Sequence, residues 1–322
     1  MHNYILRNLL PYIGKPPIPV LMDKETSEYI QFSAELLGGM KLFNSIDLGA
    51  LDLFAEPKCT SEELKGVLLK RPLRLLRIAV VITTRCTLKC PHCVHLNSHY
   101  KTRHDYNLST VIDAIRSVLR VCDVDFIALL GGEPFLHQKL PEMILTLRDE
   151  PRLGRVSITT NGTLPASEPL LIALSHSKTS VFVSNYSSTL VPNTSELVAT
   201  LTKHRINVHL ADSTHQWADA GGTEPRGRDV TVLRGMYSRC LFASCPVILG
   251  SRLYVCPRNA NAVNLGIISE FEGGGVELLN TDMTTLKARI IDEVYAREFV
   301  LSCNFCDFIT PSGTQTLINR AT

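Results

Sequence analysis

The chain has 322 residues, 45% of them hydrophobic, and a formal net charge of +2, which allows one large or two modest domains with a full core. Near-balanced charge leaves no electrostatic footprint for nucleic acid or an anionic membrane and points to small neutral or mildly charged substrates. Ten cysteines without a convincing export signal argue for a reducing compartment and metal ligation rather than a disulfide framework.

The N-terminal stretch MHNYILRNLLPYIGKPPIP carries Arg7 inside its apolar part and reads poorly as a secretion signal. No run approaches the roughly 20 apolar residues of a membrane span, so a cytoplasmic protein with no membrane and no nucleic-acid partner is expected. Residues 1–75 are rich in leucine and broken by Lys15-Pro16-Pro17-Ile18-Pro19 and Gly38-Gly39. Helical periodicity predicts helices over Lys24–Leu37 and Ser61–Lys70, the second opened by Thr60 or Ser61 ahead of Glu62-Glu63. A packing or dimerisation segment is the plain reading of this extension, and a peptide-binding module the sharper one.

From about residue 76 to 212, strand-like runs alternate with amphipathic helices. The predicted strands are Arg77–Thr83, Asp125–Leu130, Arg155–Thr160, Ser180–Asn185 and Asn207–Ala211; the predicted helices are Leu108–Val121, Leu140–Asp149, Glu168–Leu174 and Ser195–His204. Such alternation forms a parallel sheet whose functional loops lie at the strand C-terminal ends. Directly after the first strand comes Cys86-x3-Cys90-x2-Cys93, in ITTRCTLKCPHC. Three thiolates from one short loop can hold three irons of a 4Fe-4S cube and leave the fourth iron open to a small molecule. Zinc is the competing reading, but it gains nothing from the offset first cysteine and needs His92 or His95 as a fourth local ligand.

The next strand runs into Gly131-Gly132-Glu133-Pro134, and the one after it into Thr160-Asn161-Gly162. With these turns in strand context, the chain resembles the radical S-adenosylmethionine (radical SAM) superfamily. That resemblance implies an α/β fold built on a partial (β/α)6, TIM-like barrel. It also implies a 4Fe-4S cluster whose open iron chelates S-adenosylmethionine, and an electron donor such as flavodoxin or ferredoxin. The chemistry implied is cofactor cleavage to a 5′-deoxyadenosyl radical that removes hydrogen from an unactivated C–H bond. Gly131, Gly132, Glu133 and Pro134 would meet the cofactor's amino group, Asn161 its ribose or methionine part, Ser184 its ribose hydroxyls and His92 its adenine. His92 stands where the family usually has an aromatic residue, and a solvent-facing histidine is its plain reading. For Asn161 the plain reading is a strand-ending turn. Glu133 is firmer, because a carboxylate in a Gly-Gly turn beside three cysteines has few structural reasons to be there.

Beyond residue 212, Asp212, His215, Trp217 and Arg226 are candidate substrate contacts, although a lone tryptophan is more often core, and Asp219–Arg228 is a polar, Gly-rich linker or lid. Val247–Val255 reads as a hairpin around Gly250-Ser251, and Thr284–Val300 as a helix. Cys240, Cys245, Cys256 and Cys303-x2-Cys306 offer a four-thiolate cage, and their chemistry alone leaves zinc and a second iron-sulfur cluster open. The arrangement resembles the twitch, or SPASM-like, domain of radical SAM enzymes. By that resemblance Cys240, Cys256, Cys303 and Cys306 hold an auxiliary 4Fe-4S cluster, with one residue more than the pattern between Gly250 and Cys256. Cys245 is then spare, either a small buried apolar side chain or a thiol able to return a hydrogen atom to a substrate radical. Cys59 and Cys122 sit on helix-like segments as packing residues. The expected organisation is an extension over 1–75, a radical SAM core over 76–235 and an auxiliary cluster domain over 236–322.

Over about residues 76–310 the chain resembles the cyclitol dehydrogenases of the superfamily, and the aminoglycoside epimerases show that similar architecture can invert a sugar carbon. The expected substrate is therefore a small sugar-like molecule, oxidised or epimerised at a carbinol carbon of a sugar, cyclitol or glycoside in natural-product or glycan biosynthesis. A peptide-modifying enzyme, forming thioethers or epimerising amino acids, is the alternative; against it, residues 1–75 lack a clear hairpin-plus-helices pattern. A non-catalytic iron-sulfur or zinc scaffold is the third reading, opposed by the intact Glu133-Pro134 turn.

Overall fold

The computed structural model describes residues 4–9, 18–23, 29–31, 66, 68–70, 73–186, 189–211, 217–308, 310 and 317–318. The chain divides into two compact units, Met1–Pro72 and Leu73–Thr322. In the first, β1 (Tyr4–Leu9), β2 (Ile18–Asp23) and β3 (Tyr29–Gln31) form an antiparallel sheet in that order, with Leu21 opposite both Leu6 and Ile30. This corrects the helix predicted over Lys24–Leu37, because Tyr29-Ile30-Gln31 pairs with β2. Periodicity is a weak prior that pairing to a neighbouring strand overrides. Of the predicted Ser61–Lys70 helix, Gly66, Leu68 and Leu69 are described and are helical; Cys59 lies outside the described residues.

The second unit is built on one eight-stranded sheet of order β12-β11-β10-β4-β5-β6-β7-β8. Its parallel strands are β4 (Leu73–Thr83), β5 (Cys122–Gly131), β6 (Leu153–Thr160), β7 (Thr179–Val183) and β8 (Val208–Leu210), joined on the far side of β4 by β10 (Val247–Leu249). The edge strands β11 (Arg252–Tyr254) and β12 (Val276–Glu277) run antiparallel, so the fold is α/β with a mostly parallel open sheet, and among the described residues no closed barrel forms. β9 (Trp217–Ala218) pairs separately with β13 (Leu317–Ile318).

Sequence pattern accounts for the central strands. Ile78–Thr83 of β4 is buried without interruption, as a parallel strand covered on both faces must be. β4 begins four residues earlier than predicted, with Leu73 and Leu75 buried, while Arg74 faces out to pair with Asp125 at 2.7 Å. Between β4 and β5, α1 (Leu108–Val121) buries Val111, Ile115 and Val118 on one stripe, and Asn107 caps it by accepting from the Ser109 amide. Helices α2 (Leu140–Arg148), α3 (Glu168–Leu174) and α4 (Thr194–Lys203) return the chain from β5, β6 and β7. Cys122 opens β5 rather than lying on a helix, because α1 ends one residue before it.

Among the described residues four α-helices follow β9: α5 (Val230–Ser238), α6 (Pro257–Asn264), α7 (Glu270–Gly273) and α8 (Met283–Ile291). The helix predicted over Thr284–Val300 is α8 continued by a π turn over Asp292–Ala296. That turn carries Glu293, 3% exposed, whose carboxylate accepts from the Val255 and Gly275 amides and from Arg297 Nε at 2.6 Å.

Candidate functional site

Four consecutive sheet neighbours, β4 to β7, deliver four turns to one edge of the sheet, the C-terminal edge where parallel folds place their ligands. β4 leads into the cysteine loop, β5 into Gly131-Gly132-Glu133-Pro134, β6 into Thr160-Asn161-Gly162 and β7 into Ser184-Asn185-Tyr186. The two glycines are needed for close approach. A Cβ on Gly131 would stand 2.2 Å from the Thr83 carbonyl oxygen, and one on Gly132 would stand 2.1 Å from that of Arg85 and 2.7 Å from Cys86 Cβ. Without side chains, the Gly132 amide reaches Thr83 O at 2.9 Å and the Glu133 amide reaches Arg85 O at 2.7 Å. The β5 turn therefore lies flat against the start of the cysteine loop.

Glu133 is fully buried and turns inward. Oε1 accepts from Thr160 Oγ1 at 2.7 Å and from the Phe135 amide at 3.0 Å, and Oε2 accepts from the Asn161 amide at 2.7 Å. Burial pushes its carboxyl pKa up, opposed by these three donors. Asn161 then reaches the cysteine loop, its Nδ2 lying 3.0 Å from Thr87 Oγ1 and 3.7 Å from Cys86 Sγ. Glu133 and Asn161 thus tie three of the four turns together. The Ser184 amide bonds Thr160 O at 2.9 Å, which sets the fourth turn beside them.

Cys86, Cys90 and Cys93 lie close together: Cys93 raises the pKa of Cys86, and Cys93 and Cys86 both raise that of Cys90. Burial is the largest cause for each, and Cys90, with Cys93 and Cys86 beside it, is pushed up to about 11. Tyr186, 6% exposed, hydrogen-bonds the Cys90 thiol and acts in the opposite sense. His92 meets Asp219 through Nδ1, at 2.8 Å from Oδ1, and its side chain is 42% exposed.

Cys240, Cys256, Cys303 and Cys306 gather in a second place. Burial and then Cys256 and Cys306 drive the Cys240 pKa well up; burial lifts Cys256 to about 12, with Cys303 and Cys306 adding, and Cys303 to about 11, with Cys306 adding. Cys245, 3% exposed, stands apart from them, and the charge it feels is that of Arg77. It precedes β10 by two residues and so shares the parity of Val247 and Leu249, which pack with Ala79 and Val81. Among the described residues no three His, Cys, Asp or Glu converge at distances suited to one metal ion. A tetrahedral zinc with Zn–S bonds of about 2.3 Å draws its thiolates closer together than a cube does, since a cube carries each thiolate on its own iron. The three-thiol loop fits a cluster held by three cysteines.

Asp219–Arg228 is a strap fastened at both ends rather than a free lid. Asp219 holds His92 and accepts from the Gly221 amide at 2.8 Å, while the Asp307 amide bonds Ala220 O at 3.1 Å. Arg228 donates to the carbonyls of Cys303 and Cys306 at 2.8 and 2.7 Å and pairs with Asp307 at 2.6 Å. Arg226, read from sequence as a substrate contact, is instead held by Asp307 at 2.7 Å. Asp212 and His215 lie outside the described residues, and Trp217 is described only as part of β9.

Residues 80–184, which run from within β4 to the first residue of the β7 turn, match the family model of the radical SAM superfamily. The chain carries a radical SAM superfamily domain. That domain implies a 4Fe-4S cluster and S-adenosylmethionine. A probable GTP 3′,8-cyclase of Methanocella arvoryzae is 33% identical over 97 residues, covering 29% of each chain. A GTP 3′,8-cyclase of Acidothermus cellulolyticus is 36% identical over 103 residues, covering 30% of this chain and 28% of that protein. The chain thus spans less than a third of the length of these curated relatives. Among solved structures, BtrN in complex with AdoMet and 2-DOIA matches at TM-score 0.45 and 17% identity, over 76% of this chain and 100% of that one. Streptococcus suis SuiB bound to S-adenosylmethionine matches at TM-score 0.38 and 16% identity, over 65% of this chain and 55% of that one.

Sequence reading missed Tyr186, Asp219, Arg258, Glu293 and Asp307. A signal existed for Asp307, which follows the last cysteine directly. None existed for Arg258, since the polar run PRNANAVN of α6 gives no hint that Arg258, Asn259 and Asn261 are all buried.

Proposed function

We propose that this chain is a radical SAM enzyme that removes a hydrogen atom from a carbinol carbon of a sugar, cyclitol or glycoside, with a second 4Fe-4S cluster on Cys240, Cys256, Cys303 and Cys306. The observation that supports a sugar-like substrate is the sheet face on β6 to β8. By register, Ser157 lies beside Ala128 and Ser180, and Thr159 beside Phe182, which neighbours His209. On β4, β5 and β10 the corresponding face is filled by Ala79, Val81, Ala128, Leu130, Val247 and Leu249. On β6 and β7 the row is half-buried and carries hydroxyls, and the Phe182 and His209 rings stack at 5.1 Å. Hydroxyls that exchange hydrogen bonds, next to an aromatic face that accepts C–H groups, suit a polyhydroxylated ring.

When bound, the first cluster and S-adenosylmethionine supply the 5′-deoxyadenosyl radical, and the hard chemistry is theirs. The chain's share is placement. Cys86, Cys90 and Cys93 would hold the cluster, and Gly131, Gly132, Pro134, Asn161, Ser184 and His92 would line the cofactor. Glu133, expected by the resemblance to meet the cofactor's amino group, is buried with its carboxylate taken up by the Thr160 hydroxyl and the Phe135 and Asn161 amides, and it serves by holding the Asn161 turn against the cysteine loop. Cys245 stays the candidate to return hydrogen if the reaction is an epimerisation, although it is buried before β10 on the face that Val247 and Leu249 fill rather than on the β6 to β8 face.

Anaerobic reconstitution should give about eight irons per chain. Incubation with reductant, S-adenosylmethionine and a panel of cyclitols and aminoglycosides should release 5′-deoxyadenosine together with a substrate two mass units lighter, or one that has taken up solvent deuterium. About four irons plus zinc would remove the second cluster, and no substrate-linked change across the panel would remove the sugar assignment. The three-stranded antiparallel sheet β1-β2-β3 favours one second reading, a peptide substrate. Extended peptides bind by adding a strand to such a sheet, and the hairpin absent from the sequence pattern is present in the fold.

A further inference from the structure

Arg258 is the largest of the fully buried side chains, 1% exposed, two residues after Cys256. Its Nη2 donates to the carbonyls of Gly221 and Gly222 in the strap and to Phe305 O at 3.3 Å, one residue before Cys306. Gly221 is in turn bound to Asp219, and Asp219 to His92, the residue before Cys93. The guanidinium therefore stands where the strap joins the two cysteine groups. Its Nε and Nη1 are buried without any hydrogen-bond partner, and among the described residues no carboxylate forms an ion pair with it. A buried cation with two idle donors is costly unless anionic groups complete it. Carbonyl dipoles at a single nitrogen and the Phe305 ring, its centroid 6.0 Å from the guanidinium carbon, do not neutralise it. The anions that the surroundings can provide are thiolate and sulfide: the Cys93 and Cys306 thiols both feel this charge, which lowers their pKa against the larger effect of burial.

We propose that Arg258 is the shared counter-charge of both cysteine centres, fastened through Nη2 and presenting Nε and Nη1 to anionic sulfur, so that one side chain sets the reduction potential of two clusters. It is a positioning and tuning residue rather than a catalytic one. The inference rests on the two-cluster reading, which the iron content of the wild-type protein tests separately before any variant is made. A fixed positive charge stabilises the reduced, more negative form of a cluster, and hydrogen bonds to cluster sulfur act in the same direction.

The experiment is an EPR-monitored redox titration of both centres in the reconstituted wild type, Arg258→Gln and Arg258→Lys. Arg258→Gln should move both midpoint potentials to more negative values, and Arg258→Lys, which keeps the charge but loses the fork, should move both by less. Unchanged potentials, or a shift confined to one centre, would overturn the proposal while leaving the two-cluster reading intact. If Arg258→Gln fails to hold both clusters, Arg258→Lys decides alone: a joint shift supports the shared charge, and a single or absent shift sinks it. Four irons in the wild type would instead overturn the two-cluster reading, and this proposal with it.

Discussion

The two cysteine groups are built in opposite ways. Cys86, Cys90 and Cys93 come from one loop that a single strand delivers and a Gly-Gly turn supports. Cys240, Cys256, Cys303 and Cys306 come from the end of α5, the end of a hairpin and a turn beyond α8, and only the folded unit brings them together. The first group is local, short by one thiol and set at the sheet edge where other turns converge. The second supplies a full set of four thiols, and its protein surroundings, Glu293, Arg228 and Arg258, are bound chiefly to backbone. A local group can leave a coordination position for a ligand, whereas a group assembled from distant segments closes on itself and fixes the segments that form it.

Cysteine substitutions test this contrast most strongly. Cys90→Ala should lower iron from about eight to about four per chain and abolish 5′-deoxyadenosine formation, while Cys303→Ala should also lose about four irons yet keep the spectral response of the first centre to S-adenosylmethionine. Loss of all iron in Cys303→Ala would show that the groups do not form independently. Next in size is Glu133→Gln, which sets an amide against donors that now meet a carboxylate. It should cost about 3 kcal/mol by urea denaturation, and a loss below about 1 kcal/mol would mean that the carboxylate does not hold the turns together. Cys245→Ala should still cleave the cofactor but lose inversion in deuterated solvent if the enzyme is an epimerase; retained inversion takes the donor role from that thiol. The smallest effect is expected at Asn107→Ala, distant from both groups, where the lost cap should cost about 1 kcal/mol with unchanged iron content.

What could be read from sequence follows the same division. The Cys86–Cys93 loop, the Gly131–Pro134 turn and the bounds of α1 and α3 were legible, because spacing, close-approach glycines and helical period are local signals. The charge at Arg258 was not, because nothing in a polar octapeptide says that its first turn will be buried between two loops. Glu293 was hidden for a related reason: a smooth helical pattern gives no warning of a π turn that swings one carboxylate inward. β3 was misread because three residues are too short a run to outweigh the helical period around them. The Asp219–Arg228 stretch looked like a linker or lid since glycine and charge suggest freedom; its partners, Asp307 and Asn304, lie about eighty residues downstream.

β10 contributes only three residues, but it hydrogen-bonds directly to Ala79–Val81 of β4 across more than 160 positions of sequence. During synthesis, β4 must wait with one flank unpaired until Val247–Leu249 leaves the ribosome. An excised fragment ending near residue 240 would keep that apolar flank open and invite pairing with another copy. The radical SAM domain of this chain should therefore aggregate when produced without its C-terminal quarter, even though every cysteine of its own loop is present.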